Sequence, residues 1–286
     1  MLRHTFCHLP RISETTERSL WRAGITSWET ALAPRPTGRS STIRRLPDAL
    51  LRESLAHFEK ANSAWFGRCL PAGQVWRLFH DFRASCAYLD IETTGLPGQG
   101  HITTIALYDG RAIRTYVHGD NLDQFGKDIR DYRLLVTYNG KSFDLPFIAR
   151  DLGVRLEQPH IDLRYLLSSL GLKGGLKSCE RQVGLTRPGL EDVDGFVAVL
   201  LWNDYRRRKN AQALETLLAY NVQDTVNLEW LLIHACNRKL AELEGVSFAT
   251  DYRLPIPQPP ANPHQPDDAT VRRVVRDYPG AWAYGR

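Results

Sequence analysis

The chain has 286 residues, a formal net charge of +5 and a sequence pI of about 9.0. Its 43% hydrophobic and 24% charged content is that of an ordinary globular protein, which excludes wholesale disorder and fibrous repeats. The charge is unevenly placed: residues 1–80 carry +6, residues 81–240 balance to zero and residues 241–286 carry −1. A polyanion would therefore meet the N-terminal segment and not a uniformly basic scaffold, although a solvated basic face accounts for the same excess. The longest apolar run, Phe196 to Trp202, falls far short of the roughly 18 residues that span a bilayer. No apolar stretch follows Met1-Leu2-Arg3, so a soluble, unexported protein is expected. Cys7, Cys69, Cys86, Cys179 and Cys236 are scattered and odd in number, which fits neither a disulfide framework nor a zinc site and points to a reducing cytoplasm.

In chain order, residues 1–46 form a basic helical arm. It has helices over Glu14 to Trp21 and Trp28 to Ala33, then a linker rich in Pro, Gly, Ser and Arg from Pro34 to Arg45. Residues 47–84 are a helical lead-in, because Leu50, Leu51, Leu55 and Phe58 recur at helical spacing behind Asp48. From residue 85 the period changes: Ala87, Leu89 and Ile91 alternate with Tyr88, Asp90 and Glu92, and Thr93-Thr94-Gly95 ends the run. Strands over Ile102 to Tyr108 and Ala112 to Val117, joined through the hairpin signal Asp109-Gly110, complete a three-strand meander. A helix over Leu122 to Arg130, an apolar strand over Leu134 to Tyr138, a helix opening near Asp144 and a short strand around Asp162 come next. Helices over Gly195 to Arg208 and Ala211 to Ala235 close the unit near residue 240. Hairpin strands followed by strands alternating with helices predict an α/β fold, a mixed sheet flanked by helices. Residues 241–286 hold six prolines between Pro255 and Pro266 and predict a mostly extended tail, with a docking segment near Val271 to Tyr278.

Three places in this layout carry candidate chemistry. Asp90 and Glu92 stand two apart on a strand, so both carboxylates leave the same face near its C-terminal end. Such a pair repels itself unless a cation intervenes, and hard oxygen ligands of this kind suit Mg²⁺ or Mn²⁺. A solvated strand edge would explain the pair equally, except that Tyr88-Leu89-Asp90-Ile91-Glu92 otherwise reads as buried. Asp144 falls in the first turn of a helix, with Pro146 tolerated there, which suits an N-terminal dipole partner as well as a ligand. Tyr220 and Asp224, spaced i and i+4, stack on one helical face and fit a structural hydrogen bond as readily as a site.

Taken together, Asp90-Ile91-Glu92-Thr93-Thr94-Gly95-Leu96, Tyr138-Asn139-Gly140 with Phe143-Asp144-Leu145-Pro146, and Tyr220-Asn221-Val222-Gln223-Asp224 resemble the DEDD 3′-to-5′ exonucleases of the ribonuclease H-like superfamily. The tyrosine marks the subclass that includes family B DNA polymerase proofreading domains, and the overall likeness is to the YprB-like ribonuclease H-like proteins. That resemblance implies a ribonuclease H-like sheet over residues 85–240 and a partner that is single-stranded DNA or RNA with a free 3′ end. It also implies two divalent metal ions, Mg²⁺ or Mn²⁺, about 3.5 to 4 Å apart. Asp90 would bridge the ions, Glu92 and Asp224 would complete the water-activating site, and Asp144 would serve the other ion. Tyr220 would orient the attacking water, since a phenol with an ordinary pKa of about 10 is no strong base. Thr93, Thr94, Gly95 and Leu96 would touch the terminal nucleotide, and Asn139 and Phe143 would line the same cleft, with Phe143 also suited to the core.

Outside these motifs, Lys173 and Lys177 around Gly174-Gly175, and the run Arg206 to Lys209, suit phosphate contacts or plain solvation at a helix end. Phe6 through Trp28, with Leu9-Pro10-Arg11-Ile12-Ser13, resembles a helix-hairpin-helix nucleic-acid-binding unit. Arg11 and Ser13 stand where such hairpins place glycines, which leaves phosphate binding and simple packing on the catalytic unit as alternatives. For the whole chain, a nucleic-acid-binding protein without turnover and a scaffold with a recruiting Pro-rich tail are the competing readings. Four clustered carboxylates favour the nuclease, because a module built only to hold phosphates gains nothing from them.

Overall fold

The computed structural model describes residues 1–33, 46–96, 98–187, 189–190, 193–243 and 246–278; the linker read from Pro34 to Arg45 lies outside them. Five strands, β1 (Cys86–Thr93), β2 (Ile102–Tyr108), β3 (Ile113–Val117), β4 (Leu134–Thr137) and β5 (His160–Asp162), form one sheet in the order β3-β2-β1-β4-β5. The meander β1-β2-β3 is antiparallel, while β4 and β5 run parallel to β1, so the sheet is mixed as expected. The hairpin between β2 and β3 is wider than a two-residue turn. Tyr108 pairs with Ile113, and Asp109 Oδ1 accepts from the N–H groups of Arg111 and Ala112 while Gly110 takes φ 86°.

The helices in chain order are α1 (Glu14–Arg22), α2 (Trp28–Leu32), α3 (Asp48–Glu59), α4 (Ser63–Cys69), α5 (Phe79–Phe82) and α6 (Phe125–Asp128). They continue with α7 (Asp144–Leu152), α8 (Leu163–Ser168), α9 (Leu176–Gln182), α10 (Gly195–Arg208), α11 (Ala211–Ala241) and α12 (Asp268–Arg276). The lead-in is two helices because Ala61 turns left-handed at φ 48° and Asn62 then caps α4 by accepting from Trp65 N–H. Lys209, at φ 55°, stops α10, and the side chain of Asn210 restarts the chain as α11 by accepting from Gln212 N–H. Within the mostly extended tail, helix α12 falls on the docking segment expected near Val271 to Tyr278. Its Arg273 forks onto Asp204 of α10 at 2.9 and 2.6 Å, and Arg208 reaches Asp277 at 2.9 Å, so the end of the basic run at α10 is used inside the protein.

Strand alternation divides the core. Ala87, Leu89 and Ile91 of β1 share one face with Ile105 and Leu107 of β2 and with Phe147 and Ile148 of α7. Cys86 and Tyr88 face the other way, into a larger core shared with Val222, Val226 and Leu231 of α11. Leu2, Phe6, Leu20, Trp21 and Trp28 belong to that same core, so the N-terminal segment packs directly on the sheet's helical layer. A buried ion pair fixes it: Glu17 accepts from Phe6 N–H at 2.6 Å and Thr5 Oγ1 at 2.7 Å, and its other oxygen meets Arg77 at 2.7 Å. Arg11 takes φ 65°, the left-handed conformation that favours glycine, so the hairpin bend persists without one.

Candidate active site

The face of β1 that begins with apolar Cys86 and Tyr88 ends with Asp90 and Glu92, and α11 crosses it there. Asp90, Glu92 and Asp224 each present an oxygen within 4.8 Å of the others. Asn221, one turn before Asp224 and fully buried, fixes the arrangement from behind. Its amide donates to Asp90 Oδ2 at 2.7 Å, and its own oxygen accepts from Thr104 Oγ1 of β2 at 2.9 Å. Thr104 is the residue paired with Glu92 across the sheet, and the ladder slips directly after that pair. Asp144 lies outside the three-carboxylate group. It opens α7, is 3% exposed, and its Oδ1 is buried without a hydrogen-bond partner among the described residues.

The electrostatics call for a cation. Burial, then the charges of Asp224, Asp144 and Glu92, push Asp90 well above the usual carboxylate range, against the amide of Asn221. Burial and the same two aspartates push Glu92 up in turn, with Lys177 and Arg187 opposing. Burial is also the main cause that lifts Asp144 to about 7, and the backbone amides of Asp144 and Ile91 offset part of it. Tyr220 is likewise raised well above an ordinary phenol by burial, Asp224 and Glu92. Hard oxygen donors at this separation, mutual repulsion and an orphaned carboxylate oxygen fit divalent ions such as Mg²⁺ or Mn²⁺.

Two groups here went unread in the sequence. Arg187 is buried, donates to Glu180 Oε1 at 2.7 Å and also to Asp224 Oδ1, and its guanidinium carbon stands 6.0 Å from the Tyr220 ring centre. Asn227 of α11 donates to the same Glu180 oxygen at 2.8 Å, so α9, the loop after it and α11 converge behind Asp224. Arg187 is one arginine in an irregular loop, and no spacing rule marks it. Asn221 follows Tyr220 directly and so leaves the helix about 100° away from it. Lys177, read as either a phosphate contact or a solvated lysine, donates to the carbonyl of Val193 and lies 5.2 Å from the Tyr220 ring centre.

In front of the carboxylates is a cleft of about 580 Å³ lined by Asp90 and Asp224, Tyr138 and Asn139, and residues of the loop from Leu172 to Leu176. Asn139 has φ 66°, and a Cβ on Gly140 would stand 2.2 Å from Thr137 Oγ1, so the turn after β4 needs glycine at that position. Asp162 holds the turn by accepting from the N–H groups of Asn139, Lys141 and Arg164 at 2.8, 3.0 and 3.0 Å. Thr93 Oγ1 donates to Gly95 O at 2.7 Å, and Thr94 N–H donates to His101 O, which closes the loop that carries Leu96. Leu96 is 71% exposed, whereas Phe143 is half-buried and packs its ring at a tilt against Phe147, centres 5.0 Å apart, beneath the opposite sheet face.

Residues 87–236, more than half of the chain, match the RNase_H_2 family of the RNase_H superfamily, so the chain belongs to that family. Asp90, Glu92 and Asp224 lie within the matched residues and form a group that could hold a metal ion. The chain is also 30% identical over 178 residues to the uncharacterized protein YprB of Bacillus subtilis (strain 168). The match covers 54% of this chain and 43% of YprB, so the chain spans less than half the length of that relative. No solved structure gives a significant match. Among the described residues, no helix is long and apolar enough to cross a membrane.

Proposed function

We propose that the protein is a metal-dependent 3′-to-5′ exonuclease that hydrolyses phosphodiester bonds of single-stranded DNA or RNA with two divalent ions. The observation that carries this reading is the group of Asp90, Glu92 and Asp224, two of which, Asp90 and Asp224, line the cleft, with buried Asp144 beside it. Asp90, Glu92 and Asp224 would hold the ion nearer the attacking water, and Asp90 with Asp144 the ion nearer the leaving oxygen. When bound, such ions acidify water and offset charge on the departing 3′ oxygen. The residues of the chain supply the rest. Asn221 holds Asp90 in place by its amide, and Arg187 holds Asp224. Tyr220, kept protonated by burial and the surrounding carboxylates, orients the attacking water through a hydrogen bond from its hydroxyl and does not serve as the base. Exposed Leu96 and the Thr93–Gly95 loop rest against the terminal nucleotide, and Asn139 lines its path.

The test is digestion of single-stranded DNA and RNA labelled at either end, each with Mg²⁺, Mn²⁺ or EDTA. The expected result is a ladder from the 5′-labelled strand, immediate release of the label as a mononucleotide from the 3′-labelled strand, and no reaction in EDTA. Internal cuts at early times would contradict the exonuclease reading, and no hydrolysis with either metal would leave a nucleic-acid-binding protein without turnover.

A further inference from the structure

Helix α8 separates the carboxylate cleft from a second cavity of about 410 Å³, and the two share no lining residue. Arg164 and Ser168, one turn apart, face the cleft, while Tyr165 and Ser169, also one turn apart, face the second cavity. Tyr165 is 56% exposed, one of few large apolar side chains left in solvent, and its ring and hydroxyl make no hydrogen bond or ring contact to any described residue. The same Asp162 carboxylate that pins the backbone N–H of Arg164 also pins that of Lys141, which lines the second cavity. Lys141, and Lys173 in the cleft, have no acidic partner among the described residues, and the guanidinium of Arg164 donates only to neutral Asn139. An exposed aromatic ring between unpaired cations, at the rim of a phosphodiester-cleaving cleft, is the composition of a single-strand stacking platform.

We propose that the substrate strand leaves the cleft over α8, with a base upstream of the 3′ end stacked on Tyr165 and its phosphates met by Arg164 and Lys141. This rests on the nuclease reading and assigns the occupant of the second cavity as single-stranded nucleic acid. The carboxylates of the second cavity do not oppose it: Asp162 is engaged by three backbone N–H groups, and Glu14 stands at the start of α1. A helix with its side chains is about 10 to 12 Å across. A strand advancing roughly 3.4 Å per nucleotide needs about three nucleotides to cross it, so the contact is reserved for longer strands.

The experiment is fluorescence anisotropy in EDTA of labelled 4-mer and 12-mer single strands, and of a 12-base-pair duplex, with the full chain. Tyr165→Ala is expected to weaken the 12-mer about 10-fold and leave the 4-mer unchanged, while Tyr165→Phe keeps wild-type affinity. Lys141→Glu should weaken the 12-mer and reduce its salt dependence by about one counterion. Unchanged 12-mer affinity in Tyr165→Ala, equal losses on both lengths, or a duplex bound as tightly as the single strand would each overturn the proposal. The readout is independent of hydrolysis: Tyr165-dependent binding without any cleavage would remove the nuclease and keep the track, and cleavage without that dependence would do the reverse.

Discussion

Asp144 sets the clearest residue-scale expectation. Its folded pKa is raised to about 7, with burial as the main cause. A raised carboxyl contributes stability that is fully present below about pH 4 and is lost as pH rises through about 7. Asp144→Asn in EDTA is therefore expected to match wild-type stability in acid and to exceed it by on the order of a few kcal/mol above pH 7. Urea unfolding at pH 4 and pH 8 measures this, and a difference that shrinks with rising pH would refute it. Tyr220→Phe removes only a hydroxyl from a buried ring. Metal affinity by calorimetry should hold while kcat falls about 10²-fold; an unchanged kcat would take Tyr220 out of the mechanism. Of these residues, the sequence displayed Asp90 and Glu92 through strand alternation, and Tyr220 with Asp224 through helical spacing. Asn221 and Arg187 stayed hidden because their roles arise from contacts across 131 and 37 residues of chain.

Among the elements, α9 and α11 are joined by Glu180, Arg187, Asp224 and Asn227, all buried. Removing the cation from such a group leaves two carboxylates unpaired, so Arg187→Met should destabilise the protein by about 3 to 5 kcal/mol. Adding Glu180→Gln should recover part of the loss. A melting temperature unchanged in Arg187→Met would show that the clamp does not hold these helices. The strands and the two long helices were legible because their apolar periods are sustained. The short helices α8 and α9 were not read, since six or seven residues carry too few turns to show a period. The division between α10 and α11 follows the predicted break, and the lead-in split escaped notice because Ala61 bears no turn signature despite its positive φ.

For the whole molecule, the basic surplus of residues 1–80 sits on a segment whose apolar side chains are core. Leu2, Phe6, Trp21 and Trp28 are nearly fully buried, and Arg77 depends on Glu17 across the junction. Deleting residues 1–33 is therefore expected to unfold the protein, visible as loss of a cooperative thermal transition by circular dichroism. A truncated chain with the original transition would show the segment to be dispensable to the fold. The mixed sheet was legible from the order of its strands and its ribonuclease H-like character from the resemblance of three motifs, whereas the seating of the N-terminal helices on it depends on tertiary packing that no local pattern encodes. Whether the carboxylates bring metal ions to a phosphodiester bond is tested most directly by single-turnover hydrolysis of a 5′-labelled single strand in Mn²⁺, comparing wild type with Asp90→Asn. A loss of at least about 10²-fold with strand binding retained is expected, and equal rates in the two proteins would contradict it.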